Sequence, residues 1–231
     1  MYDMKALYEA TSVQNAIELR LAHPEAQIIA GGTDVLVQMR EGKRAGKELI
    51  SIQGLDEIRG ICLDENEAIR IGSLTTFSHI TRDPIIQKYI NVLGEAVDMV
   101  GGPQIRNAGT IGGNVCNGVT SADTASTLMA LDAQMHVKGP DGWRIIPIGA
   151  WYQGVGKVAL AHDELLMQIV IPKAHYAGWS GHYIKYAQRN AMDIATLGVS
   201  CLVKLSADKR TVEDARLAFG VAGPVPMRAL R

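Results

Sequence analysis

Two glycine segments carry the residue types best suited to chemistry, Ala30-Gly31-Gly32-Thr33-Asp34 and Thr110-Ile111-Gly112-Gly113-Asn114. Glycine permits positive φ and lets main-chain N–H groups come close to a ligand oxygen, and a helix starting just beyond adds partial positive charge. A pair of such turns can cradle one pyrophosphate. Neither segment has the G-x-G-x-x-G spacing of a Rossmann turn or the G-K-[ST] ending of a P-loop, so a different nucleotide-binding architecture is needed. On residue types alone, the alternative that the glycine pairs only make tight loops stays open.

The other reactive residue types are scattered. His23, His79, His136, His162, His175 and His182 form no H-x-x-x-H or Cys/His pattern, which predicts no metal bound by this chain. Cys62, Cys116 and Cys201 are too few and too far apart for a disulfide framework or a four-thiolate iron-sulfur site. Cys116, beside the second glycine segment, reads as a small residue filling a tight turn, with no redox role.

The elements that must position these residues follow from periodicity. Thr11 with Gln14 makes a capping box, and Val13, Ile17 and Leu21 recur at helical spacing. A short strand over Gln27–Ala30 then stops at the first glycine pair, and Val35–Met39 resumes as a short helix. Leu49–Ile52 and Ala68–Gly72 read as strands. Pro84–Val100 reads as a helix ending at Gly101-Gly102-Pro103, and a glycine turn follows at Gly109–Asn114. Ser121–Leu131 reads as a helix, Gln134–Val137 with Trp143–Pro147 as a hairpin, and Leu165–Ile171 as a strand. From about His175 the pattern becomes strand-like, at Tyr183–Gln188, Ile194–Leu205 and Ala215–Val221. A domain boundary is therefore expected near Ala174.

Composition bounds the function. The 231 residues are 47% hydrophobic and 20% charged with a net charge of -1, which is ordinary globular material without the basic footprint that nucleic acid or an anionic membrane would call for. No run approaches transmembrane length, and Met1–Ala10 lacks the layout of a secretory signal. A reducing cytoplasm is the expected location.

The text Ile28–Met39 (IIAGGTDVLVQM), followed by Gln104–Asn114 (QIRNAGTIGGN), resembles the FAD-binding subunits of molybdenum hydroxylases. That family includes the flavin subunits or domains of xanthine dehydrogenase and carbon monoxide dehydrogenase. Further similar pieces fall in order at Ser121-Ala122-Asp123, Leu128–Ala133, Glu164–Pro172 and Tyr183–Ala195. Within the family the chain is most similar to the bacterial three-subunit xanthine dehydrogenase type, because it carries flavin motifs without a cysteine-rich or molybdopterin-binding segment.

The resemblance implies an α+β fold: a p-cresol methylhydroxylase-type FAD-binding domain over 1–174, with subdomains of about 1–55 and 56–174, and a small antiparallel-sheet domain over 175–231. Family members continue with further helix past the segment matching Val221–Arg231, so this last domain is expected to be incomplete. The resemblance also implies that Ile28, Ile29, Ala30, Gly31, Gly32, Thr33, Asp34 and Val35 wrap the FAD pyrophosphate, with Thr110, Ile111, Gly112, Gly113 and Asn114 closing over it.

Asp123 is expected near the adenosine half, with helix capping as its ordinary alternative. Val100 and Leu166 match wall positions that can equally be plain core. Lys185 matches a lysine near the flavin, where an ammonium can tune its potential; a solvent-facing strand lysine is the ordinary alternative. Arg189 and Asp193 match a stretch that influences flavin electrostatics and the approach of NAD, against a plain surface salt bridge.

No catalytic residue is expected from this chain. The implied role is to pass electrons, received from [2Fe-2S] clusters in an iron-sulfur subunit and drawn from a molybdenum cofactor in a molybdopterin-binding subunit, through FAD to NAD. The alternatives are a self-sufficient FAD oxidoreductase and a non-catalytic nucleotide-binding module.

Overall fold

The computed structural model describes residues 3–229. It begins with β1 (Met4–Glu9), α1 (Val13–Ala22), β2 (Gln27–Ile29), α2 (Val35–Arg40) and β3 (Lys47–Ser51), and both outer strands pair in parallel with β3 in the order β1-β3-β2. Parallel strands need crossovers: α1 carries the chain from β1 to β2, burying Val13, Ala16 and Ile17, and α2 carries it from β2 to the neighbouring β3. Its cap differs from the expected box. Ser12 is the N-cap and accepts from Asn15 N at 3.0 Å, while Asn15 Oδ1 accepts from Thr11 N at 3.1 Å. Leu21, expected on the apolar face, is exposed.

The middle of the chain runs β4 (Ile61–Leu63), β5 (Ile69–Gly72), α3 (Phe77–Arg82), α4 (Pro84–Tyr89), α5 (Asn91–Asp98), α6 (Pro103–Ala108), α7 (Ile111–Cys116) and α8 (Asp123–Ala130). It continues with β6 (Gln134–Gly139), β7 (Gly142–Pro147), α9 (Ile148–Trp151), β8 (Tyr152–Gly154), β9 (Lys157–Val158) and β10 (Leu165–Ile171). Five strands make an antiparallel sheet in the order β4-β5-β10-β6-β7. Ile69, Ile71, Met135, Val137, Ile169 and Ile171 share one buried core with Leu93, Val97, Ile111 and Leu128 from the helices.

Two expectations are corrected in this region. Pro84–Val100 is two helices, because Ile90, at φ -142 and ψ 49, turns the chain between α4 and α5. Gly109–Asn114 is not a loop. Thr110 Oγ1 accepts from Gly113 N at 3.1 Å and starts α7, which places Gly112 and Gly113 inside a helix.

The chain ends in a separate antiparallel sheet, β11 (Trp179–Tyr186), β12 (Leu197–Leu205), β13 (Val212–Gly220) and β14 (Met227–Arg228), in that order. One face packs on α5 and α8, contributing Tyr183, Leu202 and Ala218 to the large core. Polar bonds fix its seating: Ser200 Oγ lies 2.9 Å from Ser126 Oγ and 2.8 Å from Thr127 Oγ1, all three fully buried.

Asp132, just past α8, accepts from Arg228 Nη1 at 2.5 Å and lies 3.3 Å from Arg216 Nη1 and 3.4 Å from His175 Nδ1. Removing this carboxylate leaves two guanidinium groups facing one another. Asp132→Ala is therefore expected to destabilise the fold by about 1–2 kcal/mol, allowing for solvent at a partly exposed group. That is roughly 2–8 °C in melting temperature for a chain of this size, measurable by calorimetry.

Candidate functional site

One cavity of about 550 Å³ runs between the first layer and the five-stranded sheet. Its walls include Ile28 in β2, Ala30 just after it, Gly31–Asp34, and Val35 at the start of α2. Opposite them stand Thr110, Gly112, Gly113 and Asn114, with Val100 and Leu166 further along. Ile29, Ile111, Asp123 and Lys185 do not line it.

The two glycine segments play different physical parts. In the first, the main-chain N–H groups of Gly31, Gly32, Thr33, Asp34 and Val35 have no protein acceptor among the described residues, and the first bonded donor is Leu36 N, to Gly32 O at 3.0 Å. Consecutive free N–H groups on a cavity wall form a nest that favours an anion. Gly32 holds φ +73, in the left-handed region that favours glycine. Gly31 meets the other segment directly, because a Cβ there would stand 1.8 Å from Ala108 O.

In the second segment the main-chain donors from Ile111 to Asn114 are already used, Gly113 N on Thr110 Oγ1. Ile111 N donates to Thr75 O at 3.0 Å, Gly112 N to Ser73 O at 2.8 Å, and Asn114 N to Thr110 O at 3.0 Å. Its glycines serve close packing: a Cβ on Gly112 would come within 2.6 Å of Ser73. The second segment is thus a shoulder that holds the first in place, and the longer run of free main-chain donors lies in the first. The residues present fit a phosphate-bearing dinucleotide.

Asp123 and Lys185 meet one another behind the wall. Lys185 Nζ donates to Asp123 Oδ2 at 3.0 Å and to Met99 O at 3.0 Å, and Tyr183 Oη donates to Asp123 Oδ1 at 2.7 Å. Both charged side chains are buried, with 4% and 8% of their surface exposed. Burial raises the Asp123 carboxyl above its ordinary value, opposed by Tyr183 and Lys185. Asp123 does not cap α8, whose N-cap is Ala122. The pair instead secures the residue before Val100, and Thr124 Oγ1 donates to Asn114 Oδ1 at 2.5 Å on the neighbouring wall.

Arg189 and Asp193 pair at 3.0 Å on an exposed loop, where the guanidinium holds the Asp193 carboxyl below its usual range. Cys116 lines the cavity, but burial pushes its thiol up to about 12, leaving little nucleophilic thiolate. Among the described residues, no cluster of His, Cys, Asp or Glu could hold a metal ion, and no helix is long and apolar enough to cross a membrane.

Sequence reasoning missed several wall residues. Arg20 on α1 donates from Nε to His162 O at 2.5 Å and from Nη1 to Ala26 O, tying together two walls of the cavity. Arg44, Phe77, Ile105, Val158 and Leu160 also line it. Their separation along the chain leaves no local signal.

Comparison with known proteins agrees with this geometry. Residues 2–174 match the family described as the FAD binding domain in molybdopterin dehydrogenase, and 182–231 match the CO dehydrogenase flavoprotein C-terminal domain. The chain is 43% identical over 230 residues to XdhB of Escherichia coli K12, provisionally named a xanthine dehydrogenase FAD-binding subunit, covering 99% of this chain and 77% of that protein. It is 31% identical over 205 residues to the carbon monoxide dehydrogenase medium chain of Hydrogenophaga pseudoflava, covering 88% and 69%. A solved structure of carbon monoxide dehydrogenase from the same organism superposes with a TM-score of 0.92 at 28% identity, covering 99% of this chain and 78% of that one. With its cavity, its free N–H groups and a match over most of its length, the chain belongs to the family of FAD-binding domains of molybdopterin dehydrogenases.

Proposed function

We propose that this chain is the FAD-carrying, electron-transferring subunit of a xanthine dehydrogenase-like molybdenum hydroxylase. In this reading it works beside an iron-sulfur subunit and a molybdopterin-binding subunit and delivers electrons to NAD. The observation that carries the reading is the run of free N–H groups from Gly31 to Val35 on the cavity wall. Similarity to the FAD-binding subunits of multi-subunit dehydrogenases supports the partners.

FAD, when bound, supplies a group that accepts electrons singly and releases them as a pair. The chain's own residues bind and orient it. Gly31–Val35 donate to the pyrophosphate, and the Thr33 hydroxyl adds a donor. Thr110–Asn114 keep that loop from relaxing, while Val100 and Leu166 offer apolar wall. The buried Lys185–Asp123 pair fixes the Met99–Val100 main chain and places a charge pair behind that wall. Residues 1–174 hold the cavity in this reading, and 175–231 back it with the second sheet.

Co-expression with candidate iron-sulfur and molybdopterin subunits tests the assignment. The expected result is a complex that reduces NAD with xanthine, and an isolated chain that oxidises no organic donor. An isolated chain that oxidises such a donor would instead favour a self-sufficient FAD oxidoreductase.

A further inference from the structure

Two guanidinium groups line the cavity without a carboxylate within ion-pair distance among the described residues, Arg20 and Arg44. Arg20 is occupied with the carbonyls of Ala26 and His162. Arg44, on the loop after α2, is held differently. Its Nε donates to Gln38 Oε1 and its main-chain N to Gln38 O at 3.3 Å, while its two Nη atoms have no protein acceptor among the described residues. Gln38 is itself fixed, donating from Nε2 to Asp34 Oδ2 at 2.5 Å. The sequence Asp34–Gln38–Arg44 therefore ties a half-buried guanidinium to the loop that carries the free N–H groups.

A partly desolvated cation without a counter-charge is unfavourable unless something else supplies one. None of the three acids lining the cavity forms an ion pair with it: Glu164 is paired with Arg144 at 2.7 Å, Glu25 lies 3.4 Å from Lys47, and Asp34 accepts from the Gln38 amide. The nest supplies hydrogen bonds to a pyrophosphate but no full positive charge. We propose that Arg44 is the cation that pairs with the pyrophosphate of the bound dinucleotide, with Gln38 as its positioning residue. A guanidinium whose Nε is anchored presents its remaining N–H groups as a fork matched to phosphate oxygens. The inference rests on the FAD reading and adds a residue to it.

Titration of the purified chain with FAD and with ADP, at several salt concentrations, tests the proposal. Arg44→Gln is expected to weaken both ligands by roughly ten- to hundredfold and to flatten the dependence of Kd on ionic strength, with an unchanged melting temperature for the ligand-free protein. Arg44→Lys is expected to keep the salt dependence and recover part of the affinity. Gln38→Leu is expected to weaken binding less than Arg44→Gln while keeping the salt dependence. If the wild-type chain binds FAD and Arg44→Gln binds it equally well, or loses affinity with no change in salt dependence, the assignment of Arg44 is overturned. A wild-type chain that binds neither ligand would overturn the FAD reading itself.

Discussion

Gly31→Ala is expected to abolish useful FAD binding, with affinity falling at least about a hundredfold, and to lower the melting temperature by roughly 4–12 °C. The added Cβ would stand 1.8 Å from Ala108 O, a main-chain atom that cannot swing aside as a side-chain tip can. Either the Ala108–Gly109 peptide moves or the Gly31 loop does, and both shift the donors from the positions that make the nest. Overpacking of this kind costs about 2–3 kcal/mol, and each kcal/mol moves the melting temperature by roughly 2–4 °C in a chain of this length. Gly54→Ala is the matched control, since nothing lies within 4 Å of a Cβ there. Calorimetry and FAD titration of both variants check the contrast, and equal behaviour would contradict the steric account.

The second large effect concerns the buried pair. Lys185→Met leaves the Asp123 carboxylate buried with Tyr183 as its remaining side-chain partner. Breaking one side of such a pair costs about 3–5 kcal/mol, which corresponds to roughly 6–20 °C.

The pH dependence has a definite sign. Because burial raises Asp123 above 3.8 in the fold, the protonated acid contributes stability that is fully present below pH 3.8 and is lost as pH rises through the folded value. Lys185 opposes that rise, so its removal lifts the folded value further. Lys185→Met is therefore expected to be hurt more at pH 8 than at pH 5. The double variant Lys185→Met/Asp123→Leu should regain part of the loss, giving a coupling that melting curves of the four proteins measure directly. A pH-independent loss with no recovery in the double variant would mean that the pair does not act as a charge pair.

Local pattern was enough for much of this fold. The strand ending at Gly31, the helix after it, the hairpin of β6 and β7, and the strand-rich C-terminus all follow from periodicity and glycine placement. The second glycine segment was not legible in the same way. A glycine pair reads as a turn, yet Thr110 caps a helix there, and the bonds that fix it come from Ser73 and Thr75, far away in the chain.

The same limit applies to the site. The free N–H groups of Gly31–Val35 were foreshadowed by residue type, whereas the meeting of Asp123 with Lys185 depends on how β11 seats against α8. Arg20 and Arg44 gave no signal, since an arginine late in a helix or in a polar loop is ordinary surface material. Their place on the cavity wall appears only when the walls come together.

The most direct measurement is reconstitution of the purified chain with FAD, followed by removal of free ligand, denaturation and identification of what is released. The expected result is a yellow protein that releases intact FAD in stoichiometric amount. It should also melt at higher temperature as FAD is added, with about 2.7 kcal/mol of stabilisation when free FAD is a hundred times its dissociation constant. A folded, colourless chain that takes up no FAD and shows no shift in melting temperature would contradict the account.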